Sequence, residues 1–178
     1  MKVSIVSYSQ GENDPNWQRT ITEQVAYCAR VSNPTSQEAM DSIKSISGTI
    51  KLIEYLIKHK HWSPFEMVSI CLEIQTTRDI ARQILRHRSF SFQEFSQRYA
   101  DPTLHLAFEE RDARLEDENN RQNSIDCQDL DLDAEWKYKQ RVLIEAADDT
   151  YRWARSKGIA KEQARCILPE GNTMSRLY

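Results

Sequence analysis

Between Arg78 and Arg98 five arginines, Arg78, Arg82, Arg86, Arg88 and Arg98, meet only two acids, Asp79 and Glu94. A charge buried without a partner is strongly unfavourable, so this segment must lie at a surface, pair with acids from elsewhere or close on an anion. Its second half, Arg86-His87-Arg88-Ser89-Phe90-Ser91-Phe92-Gln93-Glu94-Phe95-Ser96-Gln97-Arg98-Tyr99, interleaves cations with hydroxyls and aromatic rings. The planar guanidinium fork matches phosphate oxygens two at a time, which points to a phosphorylated ligand around Arg86, Arg88 and Arg98. The plainer reading is a solvated basic surface. The chain as a whole carries a formal charge of -3, so the basic character is local. A general nucleic-acid binder is usually basic overall, whereas capture of a small anion needs only a focused patch.

The 178 residues suffice for one compact domain with its own core, and residues 1–178 are read as a single domain. No apolar run is long enough to span a bilayer, and Met1 to Tyr8 lacks the apolar region of a secretory signal, so a cytoplasmic protein without membrane association is expected. Cys28, Cys71, Cys127 and Cys166 are widely separated, which suits reduced packing residues rather than a disulfide framework. Lone histidines are usually structural. His59 and His61 are two apart, His105 has no companion at ligand spacing, and no metal site is expected.

Periodicity predicts a mixed α and β chain. Lys2 to Tyr8 alternates as a half-buried strand, and Gly11 to Trp17 reads as a polar loop. Ile21, Val25, Cys28 and Ala29 recur at helical spacing up to Val31, with Asn33-Pro34 as the stop. Ile50, Ile53, Leu56 and Ile57 predict a second, amphipathic helix ending near His59 or His61. Met67 to Thr76 alternates as a strand with one face toward the core. Thr77 reads as the cap of a helix with Asp79 in its first turn, on which Arg78, Arg82 and Arg86 would share one face. Such like charges repel unless an anion or acids offset them. Arg78 and Arg82 are read equally well as ligand contacts or as partners of acids such as those in the polar, acidic insertion 109–133. That insertion is expected to be an exposed helix or mobile. Ala134 to Lys157 predicts a long helix ended by Gly158, followed by a short helix from Lys161 to Ile167 near Pro169.

These residues carry a resemblance. Arg86-His87-Arg88, seven residues and then Ser96 resembles the arginine-histidine-arginine signature of the flavin-dependent thymidylate synthase family. Ala29-Arg30-Val31-Ser32, His61-Trp62-Ser63-Pro64-Phe65-Glu66 and Gln163-Ala164-Arg165-Cys166-Ile167-Leu168-Pro169 agree with it in order. The resemblance implies an α+β fold, an antiparallel sheet packed with helices, and methylation of dUMP to dTMP. It also implies methylenetetrahydrofolate as carbon donor, FAD as cofactor and NADPH as reductant, with no enzyme cysteine attacking the uracil ring.

By the same resemblance, dUMP contacts fall on Gln83, Arg86, Glu94, Phe95, Ser96, Gln97, Arg98 and Arg165, with Arg165 arriving from another subunit of a homotetramer. FAD contacts fall on Ser63, Arg86, His87, Arg88 and Glu94, and His61 lies on the flavin or folate side. Gln93 stands where the family more usually has Asn, and Met67 where His is frequent. The family's further C-terminal segment, with an arginine that activates dUMP, is expected beyond Tyr178. The rival classes are a non-enzymatic nucleotide or nucleic-acid binder using the arginine helix, and a hydrolase using Ser96 or a cysteine with His87. The hydrolase lacks a readable base and orienting acid.

Overall fold

The computed structural model describes residues 1–10, 19–37 and 46–178; the polar loop expected over Gly11 to Trp17 lies outside them. The elements are β1 (Lys2–Tyr8), α1 (Ile21–Ala29), α2 (Ile46–Lys58), a 3-10 turn (Ser63–Met67), β2 (Ile70–Thr77) and α3 (Arg78–Ile84). They continue with α4 (Pro102–His105), the β3–β4 hairpin (Arg114–Glu116 and Ser124–Asp126), α5 (Leu130–Ser156), α6 (Lys161–Ala164), a 3-10 turn (Arg165–Ile167) and β5 (Met174–Leu177). The main sheet has the order β1, β2, β5, and β2 pairs antiparallel with β5. The fold is α+β, as expected. Two compact units are present, Met1–Ser4 with Glu73–Tyr178, and Ile5–Leu72.

In the unit Ile5–Leu72, α1 begins in a capping box. Thr20 Oγ accepts from the Glu23 backbone N–H, and the Glu23 carboxylate accepts from the Thr20 backbone N–H at 2.8 Å, so two orphan donors of the first turn are satisfied reciprocally. α1 packs on α2 and on the 3-10 turn, burying Val25, Ala26 and Leu56. α2 ends in a Schellman turn: Lys60 N–H donates to Ile57 O and His61 N–H to Leu56 O, with Lys60 at φ 57°. Pro64 opens the 3-10 turn, where its missing N–H costs nothing. The strand faces depart from expectation. β1 is exposed throughout and Ile70 and Leu72 of β2 are exposed as well, because among the described residues no layer covers their apolar side chains.

The other unit is built on α5, whose residues Tyr151 and Ala154 form a core with Ala164, Leu168 and Phe108. Gly158, at φ 79°, terminates α5 as expected; its N–H donates to Arg155 O and the Ile159 N–H to Ala154 O. The left-handed conformation is one that glycine adopts without steric cost. Of the insertion, residues 109–129 are not helical and residues 130–133 already form the start of α5. Residues 114–126 form a hairpin whose base is tied down: the Arg111 N–H donates to Gln140 Oε1 at 2.9 Å and Ala113 N–H to Asp133 Oδ1 at 2.7 Å. Buried Gln140 also receives the Asn172 Nδ2–H at 2.8 Å and donates to Arg111 O at 2.8 Å. One side chain thus fastens α5, the insertion and the approach to β5. Cys166, expected to pack, is exposed, since the 3-10 turn that carries it follows α6 along the surface.

Candidate functional site

The arginine-rich segment begins on α3, which is anchored at its start: the Arg78 N–H donates to Thr173 O at 2.8 Å and Asp79 N–H to Glu170 O at 3.2 Å. Thr77 has the extended backbone of an N-cap but makes no side-chain cap hydrogen bond; its hydroxyl accepts from Arg111 Nη2. Arg111 also reaches Asp79 Oδ1 at 2.5 Å. Burial raises the Asp79 carboxyl, but hydrogen bonds with Thr77 and Arg111 outweigh it and hold the group below its ordinary value.

The helix stops sooner than the spacing of its arginines predicts. α3 ends at Ile84, and the next amides turn inward to i−3 carbonyls, Arg86 N–H to Gln83 O at 3.2 Å and His87 N–H to Ile84 O at 3.0 Å. This tightened last turn removes Arg86 from the helix face of Arg78 and Arg82. Arg78 and Arg82 do pair with acids, though not with those of the insertion. Arg78 Nε lies 3.0 Å from Glu170 Oε1, its Nη1 lies 3.7 Å from Glu94 Oε1, and Arg82 Nη2 lies 3.7 Å from Glu170.

Past the turn, His87 stacks on Phe90 with ring centroids 4.0 Å apart, and its Nδ1 accepts from the Ser89 N–H at 3.3 Å. An accepting Nδ1 leaves Nε2 as the ring's donor. Arg86 and Arg88 are exposed and neither has an ion pair among the described residues. The chain then straightens along β5. Gln93 and Tyr178 exchange N–H donors at 2.9 Å, and the Phe95 N–H reaches Arg176 O at 2.8 Å. Glu94 bridges Leu177 there and accepts the Ser175 Oγ–H at 3.0 Å. Gln97 is 2% exposed, and its Nε2 has no partner among the described residues. A buried donor without an acceptor is rare and calls for one.

Arg98 lies 3.2 Å from Glu162 on α6, and Lys161 Nζ donates to Tyr99 O at 2.8 Å, so residues 98–99 are fastened to the helix that leads into Arg165. Gln83, Arg86, His87, Arg88, Glu94, Phe95, Ser96, Gln97, Arg98 and Arg165 all belong to the unit that contains α5. His61 and Ser63 belong to the other, both exposed, at the end of α2 and the start of the 3-10 turn. His61 stands in an aromatic group, its ring centroid 6.2 Å from His59 and 6.0 Å from Tyr55. Glu170 and Ser175, which organise Arg78 and Glu94, carry no signal in the sequence: they sit 92 and 81 residues from their partners.

Residues 17–178 match the model of the Thy1 family, thymidylate synthase complementing protein. A flavin-dependent thymidylate synthase from Synechocystis sp. is 48% identical over 154 residues, covering 86% of this chain and 66% of that protein. A probable flavin-dependent thymidylate synthase from Paramecium bursaria Chlorella virus 1 is also 48% identical, covering 84% and 66%. The chain thus spans just under two thirds of these relatives. The UMP/dUMP methylase PolB from Streptomyces cacaoi, solved with 5-Br UMP, superposes with a TM-score of 0.71 at 26% identity, covering 99% of this chain and 69% of that one. The chain belongs to the thymidylate synthase complementing protein family, that of the flavin-dependent thymidylate synthases.

Proposed function

We propose that the chain serves cytoplasmic synthesis of dTMP from dUMP, binding dUMP through the segment 83–98 and Arg165, and FAD through Ser63, Arg86, His87, Arg88 and Glu94. The observation that carries the reading is the arginine turn itself: Arg86 and Arg88 emerge unpaired from the end of α3 beside a strand-like segment pinned to β5. Free guanidiniums on a fixed support suit phosphate groups, because little side-chain ordering remains to oppose binding. The donor set fits a flavin dinucleotide and a nucleotide monophosphate alike. His87 offers Nε2–H, Gln97 a buried amide donor without a partner, and Glu94 an acceptor. His61, in the aromatic group that ends α2, would take the flavin or folate side.

When bound, FAD supplies the reducing equivalents, renewed by NADPH, while methylenetetrahydrofolate supplies the carbon. The protein's own part is to orient dUMP and to place positive charge where the uracil ring gains negative charge as C5 becomes nucleophilic. Arg98 is one of the residues that would hold the nucleotide, and to do so its guanidinium exchanges the exposed Glu162 for the ligand. Exposed ion pairs are worth little, so the exchange is inexpensive. Completion of the site by Arg165 of another copy, within a homotetramer, belongs to the same proposal.

The test is dTMP formation from dUMP with methylenetetrahydrofolate, FAD and NADPH, omitting each in turn. Product that requires the flavin, and its loss in Arg98→Ala, are expected. Unchanged rate and saturation in Arg98→Ala would remove Arg98 from the site. Tight, steeply salt-dependent oligonucleotide binding without dUMP binding would favour a nucleic-acid binder instead.

A further inference from the structure

Arg78 is a charged side chain only 7% exposed, and every ion pair that compensates its burial leads toward Glu94 or the loop beneath it. Its Nε takes Glu170 Oε1 at 3.0 Å, while its Nη1 lies 3.7 Å from Glu94 Oε1. Ser175, 1% exposed, donates its hydroxyl to that same Glu94 Oε1 at 3.0 Å. The closest protein contacts of the Glu94 carboxylate therefore converge on one oxygen, and among the described residues Oε2 accepts no hydrogen bond. The backbone beneath is fixed, because Glu94 bridges Leu177 and its neighbours Gln93 and Phe95 hydrogen-bond Tyr178 and Arg176.

We propose that Arg78 and Ser175 are positioning residues that commit Glu94 Oε1 to the protein and present Oε2 to an N–H or O–H donor of the bound nucleotide. This rests on the dUMP site proposed above. A carboxylate repels phosphate, so Glu94 takes the donor-bearing base or sugar while the unpaired Arg86 and Arg88 take the anionic groups. A nucleotide is thereby given a direction along the segment. Arg78, buried and facing protein acids, touches no ligand and acts through Glu94.

Calorimetric titration of the full chain with dUMP tests this in wild type, Arg78→Met, Arg78→Lys, Ser175→Ala, Glu94→Gln and the double variant Arg78→Met/Glu94→Gln. Loss of one charged hydrogen bond weakens binding by about tenfold, and that loss is expected in Arg78→Met and Glu94→Gln, with partial recovery in Arg78→Lys. The double variant should bind no more weakly than Glu94→Gln alone, since residues acting through one contact are not additive. Wild-type affinity in Arg78→Met, or multiplied losses in the double variant, would overturn the proposal.

A second reading needs no ligand: the carboxyl-carbon resonance of Glu94 should move in both Arg78→Met and Ser175→Ala, and a fixed resonance would also overturn it. Should Arg78→Met fail to fold, Ser175→Ala carries both measurements. A moved resonance in a chain that binds no dUMP would support the fixed carboxylate and contradict the proposed substrate.

Discussion

Single side chains in this molecule are decided by whether their polar atoms find partners. Tyr151 is fully buried in the α5 core and its hydroxyl has no partner among the described residues. Burial pushes its phenol above the ordinary value. Tyr151→Phe should therefore be neutral or stabilise by up to about 1 kcal/mol in urea unfolding, because an unmade buried hydrogen bond is removed without a cavity. A clear destabilisation would reveal a partner for the hydroxyl. Asp79 is the opposite case, satisfied by Thr77 and Arg111. Its folded-state value is depressed, so its stabilisation is complete above the unfolded value of about 3.9 and is lost as pH falls through the folded one. With both partners about a third exposed, the pair is worth at most about 1 kcal/mol. Asp79→Asn should flatten the decline of stability between pH 5 and about pH 3, within that carboxylate window; an unchanged decline would assign it to other carboxylates. Glu73 adds in the same direction, since the Tyr178 hydroxyl donating at 2.7 Å holds it low.

Elements that carry their own periodicity were legible, and those held by distant partners were not. α1, α2 and α5 follow apolar spacing and local caps, and Gly158 announced the end of α5. β5 escaped because Met174-Ser175-Arg176-Leu177 is four residues with no alternating apolar pattern, stabilised by pairing with β2 and residues 93–95. The hairpin escaped because its strands are three residues each and its support is polar: Arg114 bonds Ser124 and Asp126, and Asp117 accepts from Asn119, Asn120 and Asn123. Two helix ends use the same left-handed residue with different side chains, Gly158 at φ 79° and Lys60 at φ 57°. The left-handed conformation costs a side chain roughly 1–2 kcal/mol. Gly158→Ala should lower stability by about 1 kcal/mol although its Cβ would meet nothing within 4 Å. Lys60→Gly should raise it slightly. Thermal unfolding of the two variants checks both signs, and equal shifts would show that backbone strain does not set these ends.

At the scale of the whole molecule, the arginine spacing pointed to an anion site and to the segment proposed to carry it, but not to how that segment is held. Arg86 left the helix face because the last turn tightens, and Arg78 is buried and pairs with Glu170 and Glu94, acids distant in the sequence. Among the described residues no helix is long and apolar enough to cross a membrane, and no cluster of metal-binding side chains is present. Family membership, the unpaired arginine turn and the pinned 93–95 segment support a flavin-dependent nucleotide site. The direct measurement is the absorbance spectrum of the purified chain with added FAD, followed through a titration with dUMP. Bound-flavin bands that shift saturably with dUMP are the expected result. A flavin spectrum identical to free FAD and unmoved by saturating dUMP would contradict the proposed site.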